Sequence, residues 1–109
     1  MTEPIVPQGK LAEVVRRLVA IYAPERIYLF GSQARGDAGP DSDYDLMLVV
    51  PDGASPERRR SAMAYEALWG TGLPVDVIVW TRGHFESRLH IPASLSAAVM
   101  REGRLLHAA

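Results

Sequence analysis

Apolar residues recur at helical spacing near the start of the chain. Between residues 10 and 22 they stand at every third or fourth position, and charged residues fall between them. This spacing collects the apolar side chains on one face, so the segment is predicted to form an amphipathic helix. Pro24 follows the segment and ends the predicted helix, because a proline cannot continue the helical hydrogen-bond ladder.

Three short apolar runs have the composition of β-strands. They are RIYLF at 26–30, YDLMLVV at 44–50 and PVDVIVW at 74–80. β-Branched and aromatic residues are frequent in these runs, and turn-forming segments such as PDGAS bound them. The sequence therefore predicts three strands, with Pro74 tolerated because it is the first residue of the third.

Helix start and stop signals lie between and after these strands. They are Ser32 and Gly36 around a short turn at 33–35, Ser55 and Pro56 before a helix that runs toward Trp69, Thr81 before a shorter helix, and Gly103 after a last helix. Hydroxyl side chains favour N-caps, and glycine favours the position after a last turn. The predicted fold class is α/β (α+β): a small twisted mixed sheet of three to four strands with helices packed mainly on one face.

Length and composition narrow the class of protein. The 109 residues suit a single domain over 1–109. The chain has no cysteine, which excludes disulfides and thiolate metal sites, and no segment has the pattern of a signal peptide or a membrane span. A net charge of −1 gives no overall polycationic surface, so direct nucleic-acid binding is not expected. We expect a cytoplasmic protein that does not bind membranes.

Other charged and aromatic residues have structural interpretations. The histidines share no metal-ligand spacing and are expected at the surface, and both tryptophans are expected in the core; these residues are His84, His90, His107, Trp69 and Trp80. The run Arg58–Arg60 is interpreted as a solvated face. A docking patch for an acidic partner or RNA is the alternative for this run.

The first strand ends at Gly31 and Ser32, where the chain turns into the short helical segment. Such a turn presents free backbone N–H groups at the positive end of a helix dipole, and this geometry binds phosphate. Gly31 lets the backbone approach a phosphate oxygen, and Ser32 adds a hydroxyl donor. Arg35 lies one turn further, where its guanidinium can bind a phosphate through two donors. A glycine and a serine alone would indicate only an ordinary turn with an N-cap.

Three aspartates stand at or within the later strands. Asp43 and Asp45 are two residues apart on a strand, so they point to one face with Cα atoms roughly 6.6 Å apart. Asp76 lies within the run PVDVIVW, where a carboxylate is costly to bury without a partner. Two Mg²⁺ ions shared with the phosphates of a nucleotide would supply that partner. Turn chemistry explains the acidic segment GPDSD but not the aspartates within apolar strands.

The order Gly-Ser, Asp-x-Asp and a later Asp resembles the signature of the polymerase-β-type nucleotidyltransferase superfamily. GSQARGDAGPDSDYDL is similar to the motif of its minimal nucleotidyltransferase branch, and PVDVIVW and AAVMREGRLLH are similar to that family's third-carboxylate strand and closing helix. The resemblance covers the chain from about Ile27 to the C-terminus. It implies that Gly31 and Ser32 contact the triphosphate of ATP and that the three aspartates hold Mg²⁺.

Members of this branch are often antitoxins paired with HEPN-domain toxins, and the resemblance implies the same role here. The expected reaction transfers AMP from ATP to a hydroxyl, a tyrosine of the HEPN toxin, as in a type VII toxin–antitoxin pair. Asp43, Asp45 and Asp76 would be both the catalytic and the metal-binding residues. The alternatives are a non-catalytic antitoxin that acts by contact and a dimeric nucleotidyltransferase for a small molecule. A partner protein or a second copy would hold the acceptor, so a homo- or hetero-oligomer is expected.

Overall fold

The first element is a helix that covers one face of the sheet. In the computed structural model, which describes residues 3–109, this helix is α1 (Gly9–Tyr22). It buries one face, formed by Val14, Val15, Leu18 and Tyr22. Ala23 ends the helix with a φ of 44° and donates its N–H to the Val19 carbonyl. The helix predicted over 10–22 is confirmed, with one more residue at its start.

Among residues 3–109, four strands form one mixed sheet. They are β1 (Arg26–Phe30), β2 (Tyr44–Val50), β3 (Val75–Thr81) and β4 (Arg104–Ala108). Their spatial order is β3-β2-β1-β4. β1 is antiparallel to both of its neighbours, and β2 is parallel to β3. The three predicted strands are confirmed, the third with a shift of one residue. β4 begins directly after Gly103, which was predicted only as the end of a helix.

Short helices connect these strands in the described part of the chain. They are α2 (Ser32–Arg35), α3 (Ala62–Ala67), α4 (Arg82–Glu86) and α5 (Leu95–Glu102). The continuous helix predicted from Pro56 toward Trp69 is wrong: a 3-10 turn at Glu57–Arg59 comes first, and Arg60 is extended before α3 begins. The Thr81 cap is confirmed, because its hydroxyl accepts a hydrogen bond from the backbone N–H of His84, the third residue of α4.

Helices cover the sheet on both faces. The larger core cluster lies under α1, α2 and α3 and includes Leu46 and Leu48 of β2. The smaller cluster lies under α4 and α5, where Phe85 and Val99 pack against Met47. β2 supplies residues to both clusters in alternation, since neighbouring side chains on a strand point to opposite faces. The small α+β fold predicted from the sequence is confirmed, but its helices lie on both faces of the sheet and not mainly on one.

The two tryptophans lie in different environments. Trp80 packs against the smaller cluster, as predicted. The core position predicted for Trp69 is wrong, because 86% of its surface is exposed. α3 ends at Ala67, so Leu68 fills the last inward position and Trp69 follows in a turn that faces solvent.

Arg58 is not part of a solvated face. Its guanidinium donates hydrogen bonds to the Tyr22 carbonyl at 3.1 and 2.7 Å and to the Ala23 carbonyl at 3.4 Å. These carbonyls lie at the C-terminal end of α1, so for Arg58 the prediction is wrong. Arg59 and Arg60 are exposed, as the prediction stated.

The histidines lie on different elements. His84 and His90 are exposed, as predicted, whereas His107 of β4 is half-buried. The imidazole ring of His84 meets the Trp80 ring edge-on, with 4.4 Å between the ring centroids. In the described range, no helix combines the length and the apolar composition that would let it cross a membrane.

Candidate active site

β1 ends, and β2 and β3 begin, at the same end of the sheet. β1 is antiparallel to β2, so its last residue, Phe30, lies opposite Asp45, the second residue of β2. β2 is parallel to β3, and Asp45 lies opposite Asp76, the second residue of β3. By the alternation of strands, both carboxylates belong to the face that carries Met47 and Ile78. The fold therefore brings two of the predicted carboxylates side by side, next to the turn that follows β1.

Gly31 forms that turn in a conformation that side chains disfavour. Its φ is 75° and its ψ is −159°. A Cβ atom at this position would also collide with a carboxylate oxygen of Asp45 and lie 3.2 Å from its Cγ. The turn requires glycine both for the positive φ and for the close approach of Asp45. The second requirement joins the predicted phosphate-binding turn directly to the carboxylates.

The short helix α2 begins one residue earlier than predicted. Gly31 is the N-cap, and Ser32, predicted to be the cap, is the first helical residue. The N–H groups of Ala34 and Arg35 both donate to the Gly31 carbonyl at 3.1 Å. The N–H groups of Ser32 and Gln33 find no acceptor within residues 3–109. Two backbone donors of the predicted phosphate-binding turn are thus open to a ligand.

Asp45 is surrounded by negative charge. Burial raises the pKa of its carboxyl above the ordinary value of 3.8, and the nearby charges of Asp76 and Asp43 raise it further. The positive charge of Arg35 acts in the opposite direction. Asp45 is thus within electrostatic reach of both other predicted carboxylates.

The three aspartates offer the oxygen ligands that Mg²⁺ prefers. Magnesium binds carboxylates together with water and substrate phosphates, and the repulsion at Asp45 is the interaction that a divalent cation relieves. No group of three or more His, Cys, Asp or Glu residues in the described range is close enough to hold a metal ion. Asp43 is exposed and precedes β2 by one residue. The donor chemistry fits magnesium, and Asp43 would have to move toward the other two carboxylates to share it.

Asp76 has a partner that the sequence did not reveal. The sequence predicted that Asp76 lies inside a strand, where burying a carboxylate is costly. Asp76 is instead exposed, because it lies near the start of β3 and β3 is an edge strand of the sheet. The Tyr65 hydroxyl of α3 donates a hydrogen bond of 3.0 Å to Asp76 Oδ1. The sequence shows Tyr65 only as one residue of a helix, and no spacing relates it to Asp76. This contact depends on how α3 packs beside β3.

Arg35 lies near the site but is bound to other acids. Its guanidinium is 3.2 Å from a carboxylate oxygen of Asp37 and 3.6 Å from one of Glu102. Both contacts are at the surface, where ion pairs are weak and exchange readily. Arg35 is therefore near enough to act on Asp45 through its charge, and its donors are engaged elsewhere.

Two hollows differ in their relation to these residues. A cavity of about 430 Å³ lies under α4 at the opposite end of the strands and includes Arg26 and Phe85 in its lining. An open hollow of about 410 Å³ is lined by Tyr65, Trp69 and Val75, beside Asp76. The second hollow is connected to the site through Tyr65, which hydrogen-bonds to Asp76. None of the predicted site residues lines the larger cavity, so that cavity is not the candidate active site.

Comparison with known proteins agrees with the fold. The family model of the nucleotidyltransferase domain matches residues 9–106. One solved structure, described as the crystal structure of a toxin–antitoxin with AMP-PNP, contains a chain that is 23% identical, with a TM-score of 0.58 over 89% of this chain and 73% of that chain. This likeness supports the fold. No curated protein matches the chain.

Proposed function

The chain belongs to the nucleotidyltransferase domain family, and from this premise we propose that it is a Mg²⁺-dependent antitoxin that transfers AMP from ATP to a tyrosine of a HEPN toxin. Transfer of a nucleotidyl group is the activity of the family. The observation that carries the proposal is the in-register pairing of Asp45 with Asp76 beside the Gly31 turn. This arrangement places the N–H groups that bind phosphate and the carboxylates that bind metal at the same end of the sheet, as metal-assisted phosphoryl chemistry requires.

Each part of the site has a task in the proposed reaction. The free N–H groups at Ser32 and Gln33 hold the phosphates of the nucleotide. Asp43, Asp45 and Asp76 would hold Mg²⁺, which supplies charge neutralisation for the triphosphate when it is bound. Asp76, at the outer edge of the sheet, orients the acceptor hydroxyl and takes its proton. The hydroxyl oxygen then bonds to the α-phosphorus and pyrophosphate leaves.

The position of the site favours a large acceptor. Asp76 is exposed on the edge strand, and the hollow next to it is open, so a side chain on the surface of another protein can reach it. Trp69 projects from the rim of the same hollow with 86% of its surface exposed. Exposed aromatic side chains are enriched where proteins bind one another. These features, with the toxin–antitoxin context of the similar structure, support a toxin as the acceptor.

The proposal is tested by incubating the protein with ATP, Mg²⁺ and the toxin encoded beside it, followed by mass spectrometry of both proteins. We expect the toxin to gain the mass of AMP on a tyrosine. Asp43→Asn, Asp45→Asn and Asp76→Asn should each lower the rate by orders of magnitude while circular dichroism shows an intact fold. Asp41→Asn is the matched control, because it changes an exposed aspartate of the same loop.

The same experiment separates the enzyme from a binder that acts by contact. A toxin that is neutralised by the wild-type protein without any added mass would contradict the enzymatic proposal. Neutralisation that survives in Asp76→Asn, again without added mass, would show that binding alone is sufficient. Transfer at the wild-type rate by any of the three aspartate variants would contradict the assignment of the carboxylates.

A further inference from the structure

The phenol of Tyr65 occupies the place at Asp76 where the proposed reaction needs an acceptor hydroxyl. Its hydroxyl donates to Asp76 Oδ1 at 3.0 Å, and half of the residue's surface is exposed. The other tyrosines lie elsewhere: the Tyr22 hydroxyl donates to a backbone carbonyl, that of Tyr28 accepts from Arg26, and Tyr44 packs against the larger core cluster. Tyr65 is thus the tyrosine that presents a hydroxyl to the candidate catalytic carboxylate.

The site residues follow one another across the sheet. Gly31 directly follows β1 and lies close to the Asp45 carboxylate on β2. Asp45 lies opposite Asp76 on β3, which is the edge strand, and Tyr65 reaches Asp76 from α3. The phosphate-binding turn and the phenol therefore lie on opposite sides of the carboxylate pair. In-line displacement at a phosphorus atom needs this arrangement, with the nucleophile on one side and the leaving group on the other.

From this geometry we propose that Tyr65 is a site of self-nucleotidylation, an inference that rests on the proposed function. The Tyr65 Oη forms a bond to the α-phosphorus of the bound nucleoside triphosphate. The bond between the α-phosphorus and its bridging oxygen to the β-phosphate breaks, and pyrophosphate leaves with that electron pair. The phenol proton passes to the Asp76 carboxylate. The product is a phosphodiester that links Tyr65 to a nucleoside monophosphate.

This modification would regulate the site in which it forms. The new phosphodiester carries a negative charge beside Asp76 and Asp43, where like charges repel it. It also removes the phenol proton that now forms the hydrogen bond to Asp76. A toxin hydroxyl that reaches Asp76 first displaces Tyr65 and receives the nucleotide instead. A chain without a partner would therefore modify itself, and a modified chain would accept no further hydroxyl.

The test needs only this protein, ATP and Mg²⁺, without the toxin. We expect its intact mass to rise by one AMP and peptide mapping to place the addition on Tyr65. Tyr65→Phe should gain no mass, since it lacks the nucleophile, and Asp76→Asn should gain it at least tenfold more slowly. Tyr28→Phe is the matched control, because it removes a phenol under the opposite end of the sheet, and it should be modified like the wild type.

Further outcomes distinguish this inference from the function on which it rests. Transfer of AMP to the toxin by a wild-type protein that leaves Tyr65 unmodified when alone would overturn self-nucleotidylation and keep the proposed function. The absence of transfer to either protein would overturn both. AMP mapped to another residue in both the wild type and Tyr65→Phe would also overturn the inference. Circular dichroism of Tyr65→Phe shows whether its loss of modification has a structural cause.

Discussion

At the scale of single residues, Asp45 is a carboxylate on which burial and like charge act together. Burial and the charges of Asp76 and Asp43 all raise the pKa of its carboxyl. An acid whose pKa is higher in the folded than in the unfolded chain favours folding only when it is protonated. The stability that this carboxyl contributes is complete when the pH is below its ordinary pKa of 3.8, and it is lost as the pH rises through the higher pKa of the folded chain. At neutral pH the charged Asp45 therefore destabilises the metal-free fold.

Asp45→Asn should consequently stabilise the metal-free protein at neutral pH. The amide keeps the shape of the side chain and removes the repelling charge, so we expect a melting temperature higher by a few degrees in the presence of a chelator. The difference should disappear in acid, where the native carboxyl is protonated. Thermal melts of both proteins over a range of pH measure it, with Asp41→Asn as the control. An equal or lower melting temperature at neutral pH would contradict the prediction.

Site residues that belong to a contiguous motif could be predicted, and Tyr65 could not. Gly31 follows a strand that the sequence predicts, and Asp45 lies near the start of another. Once the strands are known, the positions of these two residues are known as well. The contact between Tyr65 and Asp76 instead depends on where α3 packs beside the edge of the sheet. Helical periodicity predicts a helix face, but it does not predict which strand residue that face will touch.

At the scale of elements, Arg58 joins two helical segments. Three consecutive arginines at the start of a predicted helix would oppose the positive end of its dipole. In the structure the helical turn ends at Arg59, so Arg58 points its guanidinium at the carbonyl end of α1 instead. A cation at the C-terminal end of a helix is favourable, both through the dipole and through hydrogen bonds to free carbonyls. Arg58 thus links the helical turn at Glu57–Arg59 to the C-terminal end of α1.

Arg58→Ala should lower the free energy of unfolding by about 1–2 kcal/mol, because it removes a charged donor from the Tyr22 and Ala23 carbonyls. Arg59→Ala changes an exposed neighbour and should stay within about 0.5 kcal/mol of the wild type. Urea denaturation of the two variants measures the difference. Equal stabilities for Arg58→Ala and Arg59→Ala would show that Arg58 does not cap α1.

At the scale of the whole molecule, local patterns predicted the elements better than their pairing. Three strands follow from alternation and composition, and the α+β class follows from their order. The parallel pairing that sets Asp45 opposite Asp76 is a contact between distant segments, which no local pattern predicts. The cost of burying Asp76 without a partner and the family resemblance indicated only that the two aspartates lie close together. β4 was not predicted because it begins directly after Gly103, the residue at which the last helix ends. Its identity as a strand depends on β1, which lies far away in sequence.

The position of β4 also determines when the molecule can fold during its synthesis. β1 lies inside the sheet and pairs with β2 on one side and β4 on the other. A ribosome completes β1 early, but the strand that covers its second edge is made only with residues 104–108. Until then a nascent chain exposes that edge, which favours aggregation. A chain that stops at Gly103 should be digested rapidly by a nonspecific protease that spares the 109-residue chain, and equal resistance would show that β4 is dispensable for folding.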